Sequence, residues 1–443
     1  MSGSHTHTQL SKTASTFLSV AGNAPSYSFA MTSATLIAAV GHYSPWVILF
    51  CGLVMYGIAN AYVQLTRFRN SSGAAFTWVS HFLHPRLGFI AGWCLLVAGL
   101  LFLVSVVLPA AQVIAQLVGL NEVSKLSITL IAIGVLLVFA FLALSGVGKM
   151  GVVQTIFTTL EAIVLVILLI AIVAAIAQTD KAAVQKIFAS EPPTLEAISK
   201  GISIAVFFYW GWDVAFNAAE NTDNPEQSLK QSAYRTLFAL ILFFTCFVFG
   251  FTLLAAEADI ANANGNALLA LSRKILPSPY AEIALLAFLL STIGAVNSAY
   301  VQISQTLFAK SKSGYYKGFF ARGNNSIHAP RSGILFALFT ASVILLIAAV
   351  SAKIDEIIQA AIVSTSILIA LYYSLCALSY CRYALSKGKI SSWGGFALSA
   401  LAALMLFFAA LVTLVSFNFL TTFISVFALG LGVLLSFGFK LKS

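Results

Sequence analysis

Charge is what this sequence lacks. Only 9% of its residues are Asp, Glu, Lys or Arg, against about 25% in a soluble domain, which excludes an ordinary soluble enzyme. Cysteine is sparse too. Cys51, Cys94, Cys246, Cys376 and Cys381 lie in or beside apolar runs and form no CxxC pair, so they read as small buried hydrophobes rather than disulfides or metal ligands. Histidine is equally thin. His5 and His7 belong to a polar start, MSGSHTHTQLSKTAST, and read as solvated tail residues. That start also argues against a cleavable signal peptide, because the apolar run behind it is too long for a signal core. No metal and no cofactor is expected.

What the chain has is hydrophobicity, at 60% of its residues, recurring along the whole length. A spanning helix needs about 20 mostly apolar residues. Twelve runs qualify, at 17–40, 45–66, 87–118, 126–147, 151–178, 198–221, 232–256, 280–309, 332–351, 356–381, 393–415 and 417–438. The stretch NANGNALLALSRKIL (262–276) is too short and polar to span, and reads as a short helix on the outer surface. No connection is long enough for a soluble domain. The longest, about 309–331, is short and basic. The expected architecture is therefore an all-α integral membrane protein with twelve spans.

The formal net charge of +10 raises nucleic acid as a partner, but its distribution points elsewhere. With the N-terminus inside, 17 of the 24 Lys and Arg fall in inner segments, among them Arg67, Arg69 and Lys310. Such a bias places both ends in the cytoplasm, with the basic residues facing anionic lipid of the plasma (inner) membrane. No nucleic acid is expected.

Two runs are interrupted. AGNAPSYSF (21–29) sets Gly22, Asn23 and Pro25 within four residues of an apolar run. Proline removes a backbone donor and clashes with the preceding turn, and glycine and asparagine weaken the helix further. The sixth run carries Trp210-Gly211-Trp212-Asp213. Interruptions at corresponding places of two halves mark a transporter binding site, and runs one and six imply a repeat of five helices. An unpaired backbone group costs several kcal/mol in a bilayer unless it lines a wet cavity or meets a ligand. An opened turn offers amides and carbonyls to a solute, and the half-helix behind it points its positive end at an anion.

From these residues the chain resembles the amino acid–polyamine–organocation superfamily of secondary transporters. The resemblance rests on the AGN of run one with its spacing to Gly41, on AYVQLTRFRNSSGAAFTWVSHFLHPRLGFIAGW (61–93), on FFYWGWDVAFNAAENTDNP (207–225), and on QTLFAKSKSGYYKGFFARGN (305–324). It implies a leucine-transporter-like 5+5 inverted repeat with broken helices 1 and 6. Residues 1–16 would be a cytoplasmic tail, 17–178 the first repeat, 198–382 the second, and 393–438 two added helices. The solute would sit at the midplane between helices 1, 3, 6, 8 and 10, with amides of the first break on a carboxylate and carbonyls near both breaks on an amine. Family members with amino-acid substrates usually carry Gly-Ser-Gly at that break, where this chain has Ser26-Tyr27-Ser28. The departure leaves two solute classes open, an amino acid and an amine without a carboxylate. In helix 6 the resemblance puts an acidic residue two after the break glycine and closes the helix at Asn-Pro.

The candidate substrate-binding residues are thus Asn23, Ser26, Tyr27, Ser28, Phe207, Trp210, Gly211 and Asp213. Glu161 stands about ten residues into run five, near mid-membrane, where an ionisable group is expensive and functional by default. Asp213 and Glu161 are the candidates for proton coupling, although a neutral acid bonded to a neighbouring helix is an equal reading of Glu161. Lys149, at the start of that run, reads as a snorkelling headgroup contact. Glu220 is a candidate partner of Arg67 or Arg69. Ser291, Ser298, Gln302 and Gln305 lie on one face of run eight and read as interhelical bonding first, or else as a lining of the solute path or oxygen ligands for Na⁺. Trp210 is the aromatic residue best placed to touch solute, and aromatic walls suit an apolar side chain or a cation over a ring.

The expected function is a permease moving an amino acid or related amine by alternating access in proton symport. An amine or polyamine exchanger is the nearest alternative. A membrane-embedded enzyme is another, but beyond the tail the histidines are only His42, His81, His84 and His328, and the pair His81 and His84 has no acidic or Cys partner close by in the sequence. A transporter-like sensor without flux is the last.

Overall fold

A computed structural model describes residues 10–120, 123–145, 147–180, 184–185, 187, 191–321, 330–351, 353–416 and 419–438. His5, His7, His328 and the side chain of Lys149 lie outside the described residues. In chain order the helices are α1 (Lys12–Asn23), α2 (Pro25–Val40), α3 (Ser44–Phe68), α4 (Ala74–Phe82), α5 (Pro85–Leu117), α6 (Lys125–Leu144), α7 (Val147–Ala177), α8 (Leu195–Tyr209), α9 (Val214–Asn217), α10 (Pro225–Leu254), α11 (Glu257–Asn262), α12 (Ala267–Ile275), α13 (Ile283–Lys312), α14 (Arg331–Ser351), α15 (Ile354–Lys387), α16 (Trp393–Ser416) and α17 (Phe419–Gly438). Among the described residues the only β pairing is an isolated parallel bridge between Leu10 and Thr222.

Each of the twelve apolar runs has a helical counterpart, and local chemistry sets the ends. Ser11 caps α1 by accepting from the Ala14 amide at 3.2 Å, so the helix starts inside the stretch expected as tail. Thr194 caps α8 in the same way. Prolines open α2, α3, α5 and α10, where the first turn has no amide to lose. Pro225 therefore begins a helix rather than closing one: Asn224 turns the chain with φ 40°, and α10 starts seven residues before the expected 232.

Helices α5, α13 and α15 form the centre, with 89%, 78% and 83% of their apolar spans buried. By contrast α6, α7, α14 and α17 bury only 28–33%, and large side chains such as Phe141, Val350 and Phe419 face outward. Outward apolar faces this extensive fit a lipid environment. The expected surface helix at 262–276 forms as α12, but it is not superficial: residues Ala267 to Ser272 are buried and the helix packs on α2.

Lys310, counted among the loop cations above, is fully buried near the end of α13. Its Nζ lies 3.7 Å from the Phe89 ring centroid and donates to the Phe89 carbonyl at 3.4 Å. Aromatic faces there replace an acidic partner.

Candidate substrate site at two broken helices

The first break is one residue wide. Ala24 takes φ 53° and ψ 63° between α1 and α2, and Pro25 restarts the helix. The second is wider. After Tyr209 the chain extends at Trp210, turns through Gly211 with φ 100°, and re-enters a single helical turn, α9. A 3₁₀ turn (Ala219–Asn221) follows, so the second half of run six is far shorter than a spanning half-helix.

The two breaks meet back to back. A Cβ on Gly22 would lie 2.7 Å from the Gly211 carbonyl oxygen, and one on Gly211 would overlap the Gly22 carbonyl. Glycine is required at both points by contact, and at Gly211 by its dihedral as well. Asn23 bolts them together. Its Nδ2 donates to the Phe208 carbonyl at 2.7 Å and the Trp210 carbonyl at 2.8 Å, both of which lost their helical donors when α8 ended. The Asn23 Oδ1 atom is buried with no hydrogen-bond partner among the described residues.

The free amides of α2 can be accounted for completely. Pro25 has none. The Ser26 amide donates to Glu161 Oε1 at 3.1 Å, and the Ser26 hydroxyl donates to the same atom at 2.7 Å. The Tyr27 amide donates to the Ser291 hydroxyl at 3.3 Å, and the Ser28 amide returns to the Ala24 carbonyl at 2.8 Å. The Ser28 hydroxyl closes on the Asn23 carbonyl at 2.9 Å. Glu161, reaching in from α7, thus holds the position that a helix N-terminus offers to an anion.

Asp213 sits at the other break. Its two oxygens accept from Tyr372 and Tyr373 of α15, each at 3.0 Å, and Trp210 Nε1 donates to the Tyr372 hydroxyl at 2.6 Å. Trp212 stacks on Tyr373 at 5.9 Å. Trp210 is thereby tied to the carboxylate cluster by its polar edge, while its ring packs edge-on to Phe102 at 5.0 Å.

Above α2's first turn lies an aromatic group. Tyr27 contacts Phe102, Phe207 and Phe288 with centroids 5.8–6.3 Å apart, and its hydroxyl donates to Ser105 of α5 at 3.0 Å. Phe288 is shared with a cleft of about 510 Å³ that Met31, Gln112 and Asp355 also line. Asn23, Ser26, Tyr27, Ser28, Phe207, Trp210, Asp213 and Glu161 are all buried, none more than 3% exposed. The residues around the breaks are shielded from solvent.

The structure brings Asn23, Ser26, Tyr27, Ser28, Phe207, Trp210, Gly211, Asp213 and Glu161 around one pair of breaks. It does not pair Glu220 with arginine. Arg67 bonds Glu226 at 2.7 Å, while Glu220 lies against the loop that follows α3, where it accepts from the Ser72 amide at 3.1 Å and Asn70 donates to the neighbouring Ala219 carbonyl at 3.2 Å. Of the run-eight face, Ser291 and Ser298 are bonded to Tyr27 and Gln154, and all four residues are buried. Tyr372, Tyr373, Ser105 and Phe102 were missed. The adjacent tyrosines within apolar run ten were the available signal. Among the described residues no three His, Cys, Asp or Glu gather within a metal's reach.

The profile of the amino acid permease family matches residues 9–437. The chain belongs to the amino acid permease family. No curated protein matches it. Among solved structures, a manganese transporter of Eremococcus coleocola bound to an aromatic bis-isothiourea compound is similar, with TM-score 0.63 and 14% identity over 99% of this chain and 94% of that one. A single-site variant of that transporter gives the same TM-score and identity over 99% and 95%. The likeness shows a transporter fold for this family member, a multi-pass membrane protein.

Proposed function

We propose that this permease-family chain is a secondary active carrier for an amino acid or related amine, working by alternating access in symport with protons. One observation carries the reading: two broken helices meet in the buried core, with a carboxylate at each break and aromatic rings around them. On this reading 17–178 and 198–382 are inverted repeats, 393–438 adds two helices, and both ends face the cytoplasm. Asp213 and Glu161 take up the coupling proton, and each charge change biases which side of the site opens, since a bound species shifts a conformational equilibrium only through its differential affinity.

The test is uptake by the purified chain in protein-only liposomes with imposed pH and Na⁺ gradients. Uptake driven by an inward proton gradient supports the reading. Uptake that ignores pH removes the symport, and absence of any solute flux removes the carrier.

A further inference from the structure

Three observations bear on which solute the site takes. The anion-binding end of α2 is filled by the chain's own Glu161. Two carboxylates, Glu161 and Asp213, are buried at the breaks, and among the described residues neither has a Lys, Arg or His within 4 Å, whereas the ion pairs that do form involve partly exposed groups elsewhere, such as Arg273–Glu282. Asn23, 1% exposed, carries a buried Oδ1 acceptor that has no donor among the described residues.

We propose that Glu161 is a specificity-determining residue that occupies the seat of a solute carboxylate, so that the carrier takes an organic ammonium ion without an α-carboxylate. This rests on the carrier reading above. A second carboxylate brought to Ser26 meets an oxygen already holding both Ser26 donors, and like charges in a desolvated site repel. An ammonium group meets the opposite. Acceptors from Glu161, Asp213 and Asn23 lie at the breaks, and Tyr27, Phe102, Phe207 and Trp210 pack into one aromatic group beside them, a wall of the kind that suits a cation. Buried acids without basic partners are costly, and a cationic solute supplies the missing partner. The side chains at Ser26-Tyr27-Ser28 contribute in the same direction: the Ser26 hydroxyl holds Glu161, and the Tyr27 ring fills space above the turn.

The experiment compares matched pairs that differ by one carboxylate, tyramine with tyrosine and isoamylamine with leucine. Binding is read by thermal stabilisation of the purified chain and flux by uptake into liposomes. The wild type is expected to bind each amine at least about tenfold more tightly than its amino acid. Glu161→Ala vacates the Ser26 amide and hydroxyl and should reverse that order. Glu161→Gln keeps the volume and removes the charge, so it should weaken the amines while still excluding the amino acids. Equal or better binding of the amino acids by the wild type overturns the proposal, as does a preference unchanged in both variants. Should binding follow the expected order without flux, the carrier reading falls and the seat assignment stands. Should amino acids be carried independently of Glu161, the carrier stands and the seat assignment falls.

Discussion

Replacing Asn23 by alanine removes two donors at once. The Phe208 and Trp210 carbonyls are left in the core with no helical amide to return to, because α8 ends at Tyr209 and Gly211 turns the chain away. At about 1–3 kcal/mol for each stranded acceptor, the pair costs about 2–6 kcal/mol. A single interhelical bond in a membrane protein averages only about 0.6 kcal/mol, because its groups find other partners. Ser19, on the same helix and bonded to Ser232 at 2.9 Å, is such a bond and serves as the control. Chemical unfolding of the detergent-solubilised protein should therefore show Asn23→Ala far below Ser19→Ala in stability. Asn23→Asp should fare no better, since a carboxylate has the shape but no hydrogens for the two carbonyls. If Asn23→Ala cost no more than Ser19→Ala, the idea that Asn23 replaces the lost helical donors would be refuted.

Other outcomes are open to measurement. Gly211→Ala should destabilise by at least about 2 kcal/mol, from a strained dihedral and overlap with Gly22, and a fully stable variant would show that the breaks do not touch. Asp213→Asn should abolish uptake or uncouple it from pH while the protein remains monodisperse; unchanged pH dependence removes Asp213 from the coupling. Trp210→Phe keeps the ring and loses the donor to Tyr372, so it should cost about 1 kcal/mol, and no loss at all would mean that bond is idle. At the loop helix α11, the Ala256 amide and then Lys274 hold the Asp259 carboxyl below the usual aspartate range. Its contribution is present above that range and lost as pH falls through the folded-state value. Amide protection of 256–262 should fall only in acid, and an identical acid response in Asp259→Asn would exclude this carboxyl as its source.

How much of this was readable beforehand follows the range of each force. Apolar length and Pro-Gly punctuation are local, so the runs and both interruptions were visible in the sequence, down to Gly22, Asn23 and Gly211. Partners depend on which helices meet. Nothing near Glu161 announces that it ends on Ser26, 135 residues earlier, or that Tyr372 and Tyr373 clasp Asp213 from 159 and 160 positions away. Loop counting placed Lys310 with the surface cations because its sequence neighbours are polar, while Phe89 and Trp93, which enclose it, lie on another helix. Helix ends were misjudged where proline opens a helix, as at Pro225.

Leu10, just before α1, is clipped to the segment behind α9: its amide donates to the Asn221 carbonyl at 2.8 Å and the Asp223 amide donates to the Leu10 carbonyl at 3.0 Å. With Asn23, this gives α1 two rivets on the sixth run, separated by its 12 residues, or about 18 Å. A plate fastened at two points cannot swivel against its mate. A rearrangement that opens the core while keeping these bonds carries α1 and residues 208–223 as one piece and bends elsewhere, so spin labels on these two segments should keep their spacing while labels across to α5 or α13 change theirs.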